Sequence, residues 1–257
     1  MHFVELGAGT PVLAIHGWTP DHRLMLGCLE PFFATRPGYR RLYPDLPAMG
    51  KSPADGIDST DDVLAALEKF VDTQIDGPFL VIGESYGGYL GRALAHRRPG
   101  QVAGLALICP TGTKVRAADR TVPPFELRRS DGVELDPGLA AQFDGMAVVR
   151  TAETARRFAA EILPGLQAAD RDAMARISER WELSAGPELG TYGKPALILT
   201  GRQDNVTGYE DVYALLPHYP YASFAVLDTA GHNLQIEQPV LFNALMGEWL
   251  DRVAQSG

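Results

Sequence analysis

Residues 79–91, FLVIGESYGGYLG, change character at their centre. The first four are apolar and partly β-branched, which predicts a buried strand, and the second half predicts a helix. One serine, Ser85, stands at the junction, with Gly83 two residues before it and Gly87 two residues after it. A G-x-S-x-G pattern between a strand and a helix is typical of a nucleophile elbow, a sharp turn that exposes the serine hydroxyl. A helix N-cap serine beside a packing glycine is the alternative interpretation.

The rest of the chain repeats the strand–helix alternation. Several apolar runs lack polar alternation, as parallel strands covered on both faces do. Amphipathic helical patterns lie between the runs, and together they predict an α/β fold with a mainly parallel central sheet flanked by helices. The predicted strands lie in residues 11–17, 40–47, 79–85, 102–110, 195–201 and 223–229. The clearest helical patterns cover residues 59–74, 86–98 and 238–253.

The alternation stops over residues 112–192, which carry Pro and Gly at their edges and helical patterns within. We therefore expect a helical insertion between two strands of one sheet. The core domain is then residues 1–111 and 193–257. Helices inside the insertion are expected at 137–149, 151–163 and 168–183.

Composition excludes several classes of protein. The chain has 257 residues, a net charge of −9 and no Lys/Arg cluster, so we expect no nucleic-acid partner. No apolar run reaches the roughly 18 residues that span a bilayer, and the N-terminus lacks the features of a signal peptide, so we expect a cytoplasmic protein with no membrane partner. Cys28 and Cys109 lie in apolar contexts and are expected as buried thiols. Gly-Lys-Ser at 50–52 would need a glycine in place of Asp45 to form a phosphate-binding loop, so nucleotide binding is rejected. No cofactor and no metal are expected.

A serine hydroxyl needs a base, and the base needs an orienting acid. Among six histidines, His232 follows a predicted strand and precedes a helix, in the sequence TAGHN. Asp204 lies just beyond another predicted strand, whereas Asp228 lies on the strand that leads to His232 and is too close in sequence to reach around the imidazole. The carboxyl ends of parallel strands collect functional groups. The chain order Ser85, Asp204, His232 is the one known for α/β-hydrolases; a loop histidine capping the last helix is the alternative role for His232.

Acyl transfer also needs donors for an oxyanion. The strand that ends in His16-Gly17-Trp18 leads into a loop whose backbone N–H groups could serve. The N–H of Tyr86, directly after the serine, is the second candidate. His16 could be a ligand or a base, but we favour a structural role in bracing its loop.

Five motifs occur in order: HGW, DLPAMGKS, GESYGG, GRQD and GH. With them the sequence resembles the α/β-hydrolase fold superfamily, as a serine-nucleophile hydrolase with a helical cap, over essentially the whole chain. The resemblance implies that residues 112–192 form the cap. It also implies a catalytic nucleophile, base and acid at Ser85, His232 and Asp204, and oxyanion-hole residues at Trp18 and Tyr86. Ala48 departs from the family pattern, which often has glycine at this position, and this could alter its loop.

A serine nucleophile argues against the haloalkane dehalogenases and epoxide hydrolases of this fold, which use aspartate. We expect a carboxylesterase that forms an acyl-enzyme from a small-molecule acyl substrate, a small or medium apolar ester, in a monomer or homodimer. Helical stripes of aromatic residues are typical of a core as well as of a pocket. The candidates for the pocket are Phe125, Phe143, Met146, Phe158, Trp181, Asn205, Val206 and Asn233.

Two other functions are open at this point. A C–C bond hydrolase of diketone-type substrates would use the same triad and would want a cation for a substrate carboxylate, for which Arg150, Arg156 and Arg157 are candidates. A hydrolase-fold ligand receptor would bind tightly with little turnover.

Overall fold

The computed structural model describes residues 1–256 and is built on one seven-stranded sheet with the strand order β1-β3-β2-β4-β5-β8-β9. Strands β6 and β7 form a separate pair. The strands are β1 (Phe3–Gly7), β2 (Thr10–Ile15), β3 (Tyr39–Pro44), β4 (Phe79–Glu84), β5 (Val102–Ile108), β6 (Arg129–Ser130), β7 (Val149–Arg150), β8 (Ala196–Gly201) and β9 (Ala222–Leu227).

The sheet is parallel except at one edge, where β1 pairs antiparallel with β3. This confirms the mainly parallel sheet expected from the apolar runs. The sequence analysis did not predict β1, because its FVELG pattern has only two positions that are even half-buried. A short, half-exposed edge strand gives little of the apolar signal on which such predictions rest.

Helices cover both faces of the sheet. They are α1 (His22–Phe33), α2 (Thr60–Gln74), α3 (Tyr86–Arg97), α4 (Pro137–Phe143), α5 (Ala152–Glu161), α6 (Leu163–Ala168), α7 (Arg171–Glu179), α8 (Glu210–Tyr213), α9 (Leu234–Glu237) and α10 (Pro239–Gln255). Neighbouring residues of β2 show why its sequence does not alternate: Leu13 packs in the core with α2 and α3, whereas Val12 packs in the core with α1 and α10. Both sides of each central strand are therefore buried.

The segment between β5 and β8 contains the four helices α4–α7 and the short pair β6–β7. The helices are shorter than the sequence pattern predicts. The expected helix over 151–163 begins after the Thr151 cap and ends at Glu161, and the one over 168–183 begins after the Asp170 cap and ends at Glu179. Trp181 consequently lies in the loop that follows α7 rather than on a helix.

Within residues 1–256, no helix combines the length and the apolar character needed to cross a bilayer.

The start of α3 packs so closely on β2 that it has no room for a side chain. A Cβ on Gly87 would lie 2.3 Å from the backbone oxygen of Ile15 and 2.5 Å from that of His16. We expect Gly87→Ala to lower the free energy of unfolding by about 1–3 kcal/mol, since backbone atoms must move to admit the methyl group. Chemical denaturation measures this change.

Gly100→Ala is the control, because a Cβ on Gly100 meets no atom within 4 Å. Equal stability of the two variants would contradict the packing argument.

Candidate active site

Ser85 occupies a strained turn between β4 and α3. Its backbone angles are φ 53° and ψ −113°, on the side of φ that non-glycine residues rarely adopt. The turn is held because the Ser85 N–H donates to the backbone oxygen of Ile108 at 2.9 Å. Gly83 is needed beneath the turn, since a Cβ there would lie 2.5 Å from the Gly87 oxygen. Strain of this kind is typical of functional sites.

The turn brings Ser85 to His232 and Asp204, which follow β9 and β8. The distance from Ser85 Oγ to His232 Nε2 is 3.0 Å, and the distance from His232 Nδ1 to Asp204 Oδ2 is also 3.0 Å. Because the Asp204 carboxylate only accepts hydrogen bonds, Nδ1 carries the proton and Nε2 is left to accept the serine hydroxyl. All three side chains are buried. This arrangement can transfer a proton from the serine to the imidazole.

The Asp204 carboxylate is held in its ionised form. Oδ1 accepts the N–H groups of Val206 (2.8 Å) and Thr207 (3.0 Å), and Oδ2 accepts the Thr207 hydroxyl (2.7 Å). Burial alone would raise the pKa of Asp204, but attraction to His232 and hydrogen bonds from His232 and Thr207 outweigh it and lower the pKa to about 2. The sequence analysis did not identify Thr207 as a partner of the acid.

Glu84 is a second buried carboxyl in the site, and the sequence analysis did not consider it. Its Oε1 lies 3.4 Å from His232 Nε2. Gly17 leaves the space for it, because a Cβ there would lie 2.2 Å from Glu84 Oε2. Burial and the Asp204 charge raise the pKa of Glu84 to about 7, although His232 and the Gly17 N–H oppose this. Only its position before the serine could have drawn attention to it.

Two carboxyls act on the His232 imidazole. Burial would lower the pKa of His232, but Asp204 and, more weakly, Glu84 raise it to about 9. Glu237 holds the loop around this histidine: its Oε2 accepts the Gly231 N–H at 2.6 Å, and its Oε1 accepts the Val148 N–H at 2.8 Å. Glu237 therefore ties the histidine loop to the residues that lead into β7.

Trp18 and Tyr86, the residues that are expected to supply the oxyanion donors, line the same cavity as Ser85. Tyr86 is the first residue of α3, so its N–H has no partner within the helix. The Trp18 ring contacts the Tyr86 ring edge-on, with 5.1 Å between centroids. His16 braces the loop that contains Trp18: its Nδ1 contacts the Gly17 oxygen at 2.7 Å, and its Nε2 accepts the Leu46 N–H at 2.9 Å.

A cavity of about 530 Å³ opens next to Ser85. Its wall combines aromatic rings, small residues and two arginines. Trp181 stacks on Tyr86 with 4.7 Å between ring centroids and meets Trp18 edge-on at 4.7 Å. The lining residues are Trp18, Ser85, Tyr86, Thr111, Arg116, Ala117, Ala118, Arg120, Ser178, Trp181 and Val206. Six of them, the residues from Arg116 to Trp181 in that list, come from the segment 112–192.

Of the eight expected pocket residues, Trp181 and Val206 line this cavity. Phe143 and Phe158 are buried against each other in the core with α1 and α10, with 5.4 Å between ring centroids. They and Asn233 border only a small separate space of about 10 Å³. The other three, which are not among the lining residues either, are Phe125, Met146 and Asn205.

Most of the expected pocket residues do not line the cavity, because sequence periodicity does not show what a helical face packs against. An amphipathic stripe has the same sequence pattern whether it faces a core or a cavity. Phe125, in turn, is 39% exposed and stacks against the Arg150 guanidinium. The arginines Arg116 and Arg120 of the cavity wall lie outside any such stripe, and the sequence analysis did not single them out.

Ala48 keeps the backbone conformation that favours glycine, with φ 70°. Its loop is held by Asp45, whose Oδ2 accepts the Lys51 N–H at 3.0 Å and whose Oδ1 accepts the His22 N–H at 2.9 Å. The departure at position 48 is thus accommodated without loss of the turn.

Two groups of side chains carry donor atoms close enough to share a metal ion: His2, His22 and Asp45, and Cys109, Asp204 and His232. In the first group both imidazole Nδ1 atoms are hydrogen-bonded to the Asp45 carboxylate, at 2.8 and 2.7 Å. In the second, burial raises the pKa of the Cys109 thiol well above its usual range, which disfavours the thiolate that a metal would need. Hydrogen bonding accounts for both groups.

Comparison with known proteins agrees with this architecture. A family model described as alpha/beta hydrolase fold matches residues 10–239. A pimeloyl-[acyl-carrier protein] methyl ester esterase from Shewanella woodyi is 27% identical over 98% of each chain. A 2-hydroxymuconate semialdehyde hydrolase from Pseudomonas sp. strain CF600 is 27% identical over 96% of this chain and 88% of its own.

Among solved structures, an alpha/beta superfamily hydrolase from Oenococcus oeni PSU-1 superimposes with a TM-score of 0.92. It is 26% identical in sequence and covers 98% of this chain and 96% of its own. The family match spans both the strand that leads to Ser85 and the loop that carries His232. The chain therefore belongs to the α/β-hydrolase fold family and is a hydrolase.

Proposed function

We propose that the protein is a serine carboxylesterase that uses Ser85, His232 and Asp204 as its catalytic triad. The observation that carries the proposal is the continuous contact from Ser85 Oγ through the His232 imidazole to the Asp204 carboxylate, at 3.0 Å for each step. A serine in a strained turn, with a base and an oriented acid, is the arrangement that acyl transfer needs.

In the first half-reaction, Ser85 Oγ attacks the acyl carbonyl carbon while its proton moves to His232 Nε2. The imidazolium then gives this proton to the departing alcohol oxygen, which leaves the acyl group on Ser85. In the second half-reaction, water attacks the acyl carbonyl carbon while His232 takes a proton from it. The imidazolium then gives this proton to Ser85 Oγ as the bond from Oγ to the acyl carbon breaks, which releases the carboxylic acid and restores the enzyme. Asp204 keeps Nδ1 protonated and stabilises the imidazolium, since its own pKa is held at about 2.

The negative charge that develops on the carbonyl oxygen needs donors that are already in place. We assign the backbone N–H groups of Trp18 and Tyr86 to this role, because Tyr86 follows the nucleophile and begins α3. The segment 112–192 then acts as a cap: it supplies Trp181 and both arginines to the cavity wall beside Ser85. The cavity volume of about 530 Å³ suits a small or medium acyl ester.

The first test is hydrolysis of p-nitrophenyl acetate, butyrate and octanoate by the wild type and by Ser85→Ala. We expect turnover that depends on acyl length and falls by at least about a thousandfold in the variant, because loss of a triad nucleophile costs that much or more. The absorbance of the released p-nitrophenolate measures the rate.

Thr73→Ala is the control for a lost hydroxyl, since Thr73 is on the exposed part of α2. Absence of ester turnover in folded wild type, or equal turnover in Ser85→Ala, would contradict the proposal.

The acidic limb of the pH–rate profile tests the environment of His232. The base must be neutral to accept the serine proton, so with its pKa raised to about 9, kcat/KM should rise as pH increases toward 9. Glu84→Gln removes a negative charge 3.4 Å from Nε2, which lowers the His232 pKa. We therefore expect the limb to move to lower pH in this variant.

Glu84→Asp keeps the charge and serves as the matched control, with a smaller displacement of the limb. A Glu84→Gln profile that coincides with the wild type, or that moves to higher pH, would show that Glu84 does not act on the base.

A C–C bond hydrolase is the second candidate, because the relative named 2-hydroxymuconate semialdehyde hydrolase is similar over 96% of this chain. The three arginines first considered for a substrate carboxylate do not line the cavity. Each is in an ion pair: Arg150 with Asp144, Arg156 with Glu153 and Arg157 with Glu161. A higher kcat/KM for a vinylogous diketone than for p-nitrophenyl butyrate would favour this function over the esterase.

A further inference from the structure

Arg120 is a cation in the wall of the cavity beside Ser85. Its Nη1 donates to the backbone oxygen of Val206 at 3.2 Å, and its Nη2 donates to that of Val115 at 2.7 Å. A guanidinium has five N–H donors, so three remain after these two bonds. One of them, on Nε, is buried and has no hydrogen-bond partner within residues 1–256. A buried donor without an acceptor is costly and calls for an explanation.

The charge of Arg120 is also uncompensated at short range. Asp204 and Asp211 attract it from a distance, but each has a nearer partner: Asp204 lies 3.0 Å from His232, and Asp211 lies 3.4 Å from Lys114. The other arginine of the cavity, Arg116, is largely exposed and forms an ion pair with Glu182. In the described part of the chain, Arg120 is thus the cavity arginine that lacks a carboxylate within 4.0 Å.

Two neighbours fix the position of this guanidinium. The Val115 oxygen that accepts from Arg120 also accepts from the Trp181 indole N–H at 3.2 Å. Val206 is held in turn, because its own N–H donates to Asp204. A cation held in place before a ligand arrives loses little entropy on binding. A guanidinium forms charge-assisted hydrogen bonds with a carboxylate, and these are stronger than bonds between neutral groups.

We propose that Arg120 binds a carboxylate of the substrate, so that the enzyme prefers esters that carry a negative charge over neutral esters of the same length. The inference rests on the proposed esterase function and names its substrate class. The aromatic rings of Trp18 and Trp181 contact the apolar part of such a substrate, and Arg120 pairs with its anionic end. A charge-assisted pair of this kind raises kcat/KM by roughly 10- to 100-fold.

Two matched pairs of substrates test the preference and locate the carboxylate. Mono-p-nitrophenyl glutarate against p-nitrophenyl pentanoate places the charge on the acyl side. p-Carboxyphenyl butyrate against p-(methoxycarbonyl)phenyl butyrate places it on the alcohol side. We expect the ratio of kcat/KM, charged over neutral, to exceed unity in at least one pair and to fall as salt is added, because salt screens the attraction.

Arg120→Gln should lower that ratio by roughly 10- to 100-fold, chiefly through KM for the charged ester, whereas Arg120→Lys should retain part of it. The ratio of kcat/KM for the charged ester to that for the neutral ester tests the anion site more directly than either value alone. Arg120 lowers the pKa of the His232 base, and a change in that pKa affects both esters of a pair alike. Arg116→Gln is the control, since Arg116 lines the same cavity but is paired with Glu182, and its ratio should change much less.

Binding without turnover separates this inference from the proposed function. Calorimetric titration of glutarate into Ser85→Ala should show binding that is lost in Ser85→Ala/Arg120→Gln. Neutral esters hydrolysed through Ser85 with no preference for charged ones would overturn the inference and leave the esterase function standing. No hydrolysis of any ester, together with Arg120-dependent glutarate binding, would overturn the esterase and retain the anion site. A ratio that is unchanged in Arg120→Gln, or glutarate binding equal in both variants, would also overturn the inference.

Discussion

The close contact between the start of α3 and the end of β2 governs the geometry of the whole site. Glycines at 83 and 87 let the backbone of the turn touch the strand beside it, and no larger residue fits at either position. Because the chain must reverse there within one residue, Ser85 takes a backbone conformation that costs about 1–3 kcal/mol. That conformation places the hydroxyl at the carboxyl edge of the sheet, where the loops after β2, β8 and β9 begin. Those loops carry Trp18, Asp204 and His232, whereas Trp181 and both cavity arginines come from the segment between β5 and β8.

Three buried carboxyls surround the histidine loop, and the balance between burial and the groups that face each carboxyl decides its charge. Asp204 accepts two backbone N–H groups and a hydroxyl besides the imidazole, and its pKa falls to about 2. Glu237 accepts backbone N–H groups but lacks a cation, and burial raises its pKa to about 7. Glu84 has fewer donors still, and its pKa is also raised to about 7. The same chemical group therefore serves as a permanent anion at one position and titrates near neutrality at two others.

These differences bear on stability as well as on chemistry. A carboxyl with a folded-state pKa raised to about 7 holds a proton that the unfolded chain releases near pH 4.5. Its contribution to stability is therefore lost as pH rises from the unfolded toward the folded pKa. The low pKa of Asp204 acts in the opposite sense: its contribution is present above about pH 4 and is lost as pH falls toward 2. Glu84 and Glu237 therefore lower the free energy of unfolding above neutrality.

The sequence predicted the α/β-hydrolase fold, the parallel strands and the cluster of Ser85, Asp204 and His232. Each of these depends on local signals at the end of a strand. It did not predict β1, which is half-exposed, nor the helix ends between β5 and β8, which caps at Thr151 and Asp170 decide. It also missed Glu84 and Arg120. A residue's distance to a charge from a different element is set by packing, and no spacing in the sequence encodes that distance.

The pocket residues show most clearly what the sequence pattern does not predict. Of the aromatic residues of the segment 112–192 that are expected around the substrate, Trp181 reaches the cavity from a loop, whereas Phe143 and Phe158 complete the core. The net charge of the chain likewise does not predict the charge inside the cavity. The chain carries a net charge of −9, but the field inside a cavity comes from the nearest groups, since exposed charges farther than about 10 Å are largely screened. Arg120, the cavity arginine without a carboxylate within 4.0 Å, therefore gives the wall beside Ser85 a local positive charge in a chain that is acidic as a whole.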